Sequence, residues 1–153
     1  MITKSCISLV AVSLLFVPAI PGDAVHELSG IKCVVDGEQN ANQLWTAPWR
    51  EGEVYLSSHH CIDKFVRDSS AFEMKANHQL VLTGQYTQEA CPCCGDEIDI
   101  NDDVVLPVAG LQIHFASSQC RDRIANRESV NGRVEAIYAD RPFETAFKSV
   151  YGR

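Results

Sequence analysis

Six cysteines in this chain fall into two runs with nearly the same internal spacing, and that doubling limits what the chain can fold into. Cys33-Val34-Val35-Asp36-Gly37-Glu38 stands beside Cys91-Pro92-Cys93-Cys94-Gly95-Asp96: a cysteine, three residues, a glycine, an acid. Val54-Tyr55-Leu56-Ser57-Ser58-His59-His60-Cys61 then stands beside Ile113-His114-Phe115-Ala116-Ser117-Ser118-Gln119-Cys120. The separations Cys33 to Cys61 and Cys91 to Cys120 are 28 and 29 residues. The same residue classes in the same order over about thirty positions read as an internal repeat. A unit that small buries too little apolar surface to be stable alone, so it needs a metal, a disulfide or a partner unit.

Each unit reads as a small α+β module. Cys-x-x-x-Gly is a tight turn, a knuckle, with the glycine supplying the permissive backbone. A short hairpin follows, clearest at Val104–Val108 and Leu111–Phe115, where the second run alternates apolar and polar residues. Ser57-Ser58 and Ser117-Ser118 sit where helix N-caps belong, predicting helices from about His59 to Arg67 and from about Gln119 to Arg127. Cys61 with Phe65, and Cys120 with Ile124, then share a helical face. Each unit is expected to close with a strand-like stretch, His78–Leu82 in one and Arg133–Tyr138 in the other. Gly84–Gln88 reads as the linker. Asp140 through Tyr151 reads as a terminal helix with Phe143, Phe147 and Val150 on one stripe. The expected organisation is a leader at 1–24, a first unit at 25–88, and a second unit at 89–153 that includes the C-terminal helix.

The leader expectation rests on Lys4, an apolar run from Ser5 to Val17, the breakers Pro18 and Pro21, and small residues up to Ala24. That is the layout of a secretory signal cleaved after Ala24, and the run is too short for a comfortable membrane span. It implies a periplasmic or extracellular protein with no membrane span after cleavage. Cys6 would leave with the leader, so the seven cysteines of the chain become six, an even number that permits full disulfide pairing. The formal charge of −7 supplies no field to attract nucleic acid.

Knuckle, hairpin and a cysteine opening a helix resemble the TRASH and YHS families of small, treble-clef-like, metal-associated domains. Cys91-Pro92-Cys93-Cys94-Gly95 fits the family's opening. Val54-Tyr55-Leu56 and Cys61-Ile62-Asp63-Lys64-Phe65 fit its close. The resemblance covers about residues 31–150 and implies two tandem knuckle–hairpin–helix units that handle metal. One departure matters: the family's extra cysteine four residues before the helix cysteine is replaced by Ser57 and Ala116.

Structural zinc takes four thiolates or imidazoles. The second unit offers Cys91, Cys94 and Cys120, with Cys93 or His114 as a fourth. The first offers Cys33 and Cys61, with Asp36 at the position of Cys94 and His60 beside Cys61. Three readings stand. The first is an exported, non-enzymatic protein binding zinc or another soft divalent or monovalent metal. The second is a module with no metal, stapled by disulfides such as Cys33–Cys61, that binds a protein partner or a second copy of itself. The third is a thiol–disulfide oxidoreductase using Cys91-x-x-Cys94, although no thioredoxin-like strand-then-helix context surrounds that motif. No Gly-x-Ser-x-Gly, His-Glu-x-x-His or Gly-rich phosphate loop suggests other enzyme chemistry.

Overall fold

A computed structural model describes residues 28–102 and 104–152; the leader expectation at 1–24 lies outside them. The described residues form an α+β structure, with five helices and three two-stranded antiparallel sheets among them. The elements run β1 (Asn42–Trp49), β2 (Gly52–Leu56), α1 (His59–Arg67), a short 3-10 turn, α2 (Glu73–Leu82), β3 (Tyr86–Gln88), β4 (Val105–Val108), β5 (Leu111–His114), α3 (Ser118–Ala125), α4 (Val130–Tyr138), α5 (Asp140–Ala146) and β6 (Phe147–Ser149).

Local chemistry accounts for the parts that carry cysteine. At each knuckle a glycine in the left-handed region (Gly37, φ 80°; Gly95, φ 81°) lets its own N–H return to the cysteine carbonyl at 2.8 Å, to Cys33 in one turn and Cys91 in the other. β1 pairs with β2, and β4 with β5 through a turn in which Ala109 and Gly110 both have positive φ, as a type I′ hairpin requires. Ser58 and Ser117 are the N-caps of α1 and α3. Each hydroxyl accepts from the backbone N–H three residues on, that of Cys61 and of Cys120, at 3.3 Å. Replacing Ser58 with Ala is therefore expected to cost about 1 kcal/mol in chemical denaturation, the usual loss for a cap.

Two apolar clusters form, and each contains a knuckle cysteine and a helix cysteine. Cys33, Val54, Leu56, Cys61 and Phe65 lie in one; Cys91, Ile113, Phe115, Cys120 and Ile124 lie in the other with the aromatics of α4, α5 and β6. Cys61 with Phe65 and Cys120 with Ile124 do share buried helical faces, as the spacing predicts.

Four expectations are corrected. His78–Leu82 is the second half of helix α2, and Arg133–Tyr138 lies in helix α4, whose N-cap Ser129 accepts from Gly132 N–H. A short apolar run carries no period that separates strand from buried helix. Three residues of the Gly84–Gln88 linker form β3, which pairs with β6 from the C-terminal end. The terminal helix stops at Ala146, because Phe147 and Ser149 are buried while Lys148 is exposed, the alternation of a strand.

Candidate metal centre

The knuckle and α3 bring three sulfurs together. The Sγ atoms of Cys91, Cys94 and Cys120 all lie within 4.8 Å of one another. Cys91 is fully buried, held by its N–H to the Asp96 carbonyl at 2.9 Å and by the Gly95 turn; Cys120 is buried, and Cys94 is exposed. Cys93, half-buried, hydrogen-bonds to Cys120 and so sits beside the trio as a fourth sulfur.

The thiols share their protons unequally. Burial raises Cys120, but hydrogen bonds from Ser117 and from Cys93, Cys94 and Cys91 outweigh it and hold Cys120 below a free thiol. The first turn of α3 adds its positive dipole end, which favours thiolate. Cys93 is raised by burial and by donating to Cys120, with Arg123 pulling the other way. At Cys94 a backbone hydrogen bond at Asp96 lowers the thiol, yet burial and side-chain bonds to Asp96, Cys91 and Cys120 together push it up to about 12. Without metal, the surroundings therefore favour thiolate at Cys120 and thiol at Cys93 and Cys94, both hydrogen-bonded to it. Soft d10 ions take such sulfur sets.

No protein-family model, curated protein or solved structure matches this chain. The geometry of its own residues has to carry the function.

Elsewhere the predicted ligand sets separate. Among the described residues, Cys33, Cys61, Asp36 and His60 do not converge into a three-ligand group. Cys33 and Cys61 do meet: the Cys33 thiol donates to Cys61 Sγ, and the Asp36 N–H points at Cys33 Sγ at 3.5 Å. The Asp36 carboxylate turns away to accept the N–H groups of Glu38 and Gln39, both at 3.1 Å. His60 is exposed on α1, one position off the buried Cys61–Phe65 face. The expected Cys33–Cys61 disulfide is not formed either, and all six described cysteines are free thiols. His114 stands apart from the sulfurs. Its backbone is clasped by the Gln88 side chain (3.0 and 2.7 Å), and the residue borders an apolar cleft with Tyr86 and Phe147.

The serines expected at the helix caps also serve sulfur, a role that capping alone does not announce. Ser57 Oγ lies 3.4 Å from Cys61 Sγ. Burial raises Cys61, and the bonds from Ser57, Ser58 and Cys33 bring it below a free thiol. The signal was available, as a hydroxyl three or four residues before a cysteine at a helix start. A cavity of about 690 Å³ between Arg50, Tyr86, Phe143 and Lys148 contains no sulfur and takes no part in this centre.

Proposed function

We propose that the protein binds one thiophilic metal ion through Cys91, Cys94 and Cys120, with Cys93 as the fourth donor, and works as a metal-handling module outside the cytoplasm. The observation that carries this is the convergence of three sulfurs within 4.8 Å from two separate elements. Two come from a turn whose backbone is pinned at both ends. The third comes from a helix start that favours thiolate. Such a set needs no large rearrangement to close on an ion. The tandem-unit part of this reading rests on the sequence motifs that resemble TRASH/YHS domains, and the export part on the apolar leader. The unmatched ligand sets support one competent centre, in the second unit, and a metal-free counterpart around Cys33 and Cys61.

Thiol–disulfide exchange has less support. An attacking thiol needs a depressed pKa and access together. Here the exposed sulfur, Cys94, is held protonated, and the sulfur held low, Cys120, is buried.

The test is a titration of the reduced, metal-free chain with Zn²⁺ or Cd²⁺, read by native mass spectrometry. One ion per chain is expected, and none in Cys91→Ser. A wild-type chain that retains no ion at micromolar metal overturns the reading. Binding must also displace protons, since the ligands are thiolates when metal-bound and Cys93 and Cys94 are held as thiols without metal. Apparent affinity is therefore expected to fall steadily as pH drops from 8 to 6. Calorimetry in buffers of different ionisation heat should show protons released on binding.

A further inference from the structure

The sulfur cluster is closed on one side and open on the other. Cys91 and Cys120 face the core, whereas Cys94 is exposed and, with Cys93, lines a cavity of about 240 Å³. The opposite wall is α5, contributing Arg141, Pro142 and Thr145. The wall is fixed close to the knuckle: a Cβ built on Gly95 would stand 3.1 Å from Thr145 Cγ2. Arg141 is exposed, and among the described residues no carboxylate forms an ion pair with its guanidinium. Arg123, one turn beyond Cys120 on α3, puts a second positive charge near Cys93. The Asp96 carboxylate accepts from the Cys94 thiol but does not line the cavity.

Resting on the metal-binding reading above, we infer that this cavity seats a small thiol bearing carboxylates, held by Arg141, which delivers and removes the metal by ligand exchange at Cys94. In delivery, the bond between the metal and the incoming thiolate breaks as a metal–Sγ bond to Cys94 forms. The Cys94 proton passes to the departing sulfur, and no electron is transferred. A guanidinium fits this role because it pairs with carboxylate in a planar two-bond geometry. The chain as a whole carries −7 and repels an anionic thiol, so a preference for one requires a local cationic seat.

The experiment uses the full chain loaded with Cd²⁺. Its cadmium–thiolate absorption is followed after mixing with glutathione, which carries carboxylates, or with cysteamine, a cationic thiol, at matched thiolate concentration. Glutathione is expected to strip cadmium about tenfold faster, within the range over which local charge raises encounter rates. Arg141→Glu should remove that preference while holding one Cd²⁺ per chain, and Arg141→Lys should keep most of it. Equal rates for the two thiols, or a preference unchanged in Arg141→Glu, overturn the exchange site and leave the metal centre standing. A wild-type chain that holds no cadmium overturns both.

Discussion

Metal-loaded protein is expected to melt roughly 10–20 °C above the metal-free protein when free metal is about a thousand times the dissociation constant. An ion that binds only the folded state adds about 4 kcal/mol under those conditions. For a domain of this size each kcal/mol moves the midpoint by a few degrees. The three sulfurs belong to the knuckle at Cys91–Gly95 and to the first turn of α3, separate segments that an ion ties together, so the whole binding energy opposes unfolding. Cys91→Ser should abolish the shift. It removes a fully buried ligand and leaves a hydroxyl that a soft ion binds poorly. The expected loss of affinity exceeds the roughly 10–100-fold seen when only a hydrogen-bond partner behind a ligand is removed. Cys61→Ser, in the other cluster, should lower the melting point of both forms by a similar amount and keep the metal-induced difference. Differential scanning fluorimetry with and without Zn²⁺ separates these outcomes. A Cys91→Ser protein that keeps the full shift would show that the ion sits elsewhere.

The parts of this centre that could be read in the sequence are those set by local chemistry. Cys-x-x-x-Gly announces the knuckle because only a permissive residue lets the fifth N–H return to the first carbonyl. Ser before Cys announces the helix start because a hydroxyl satisfies the free N–H groups there. Both follow from a few consecutive residues. Asp36 could not be excluded that way. Its position matches Cys94, and only the structure shows its carboxylate used up by the N–H groups of Glu38 and Gln39. Arg141 was invisible for the opposite reason. It lines the same cavity as Cys93 and Cys94 only because α5 packs beside the knuckle, a tertiary placement with no local signature. The same limit explains the strand expected at His78–Leu82. The buried face of α2 is Ala76, Asn77, Gln79 and Leu80, half of it polar, so its helical period does not show as an apolar stripe.

Those two buried amides lead to the second large expected effect, about 3 kcal/mol of destabilisation in Asn77→Leu. Asn77 is fully buried and uses its amide three ways. Its Oδ1 accepts from Trp49 Nε1 and Arg50 Nε, each at 2.8 Å, and its Nδ2 donates to the Tyr138 carbonyl at 2.8 Å. Leucine has the same branching at Cγ and is larger, so it opens no cavity, and the loss comes from partners left without a bond, at about 1–3 kcal/mol for each buried one. Trp49 and Arg50 are only half-buried and water can reach part of their surface, which argues for the low end of that range at those two groups. The position also joins the molecule. Trp49 and Arg50 belong to the β1–β2 hairpin and its turn, Tyr138 ends α4, and Ala76 and Leu80 on the same helix enter the first and second apolar clusters. The hairpin side and the α4 side thus meet through one polar side chain. Urea denaturation followed by tryptophan fluorescence, which reports Trp45 and Trp49, should shift to lower urea in Asn77→Leu, and so should the far-ultraviolet helix signal. A variant within about 0.5 kcal/mol of the parent would mean that water replaces all three bonds and that α2 couples the clusters through packing alone.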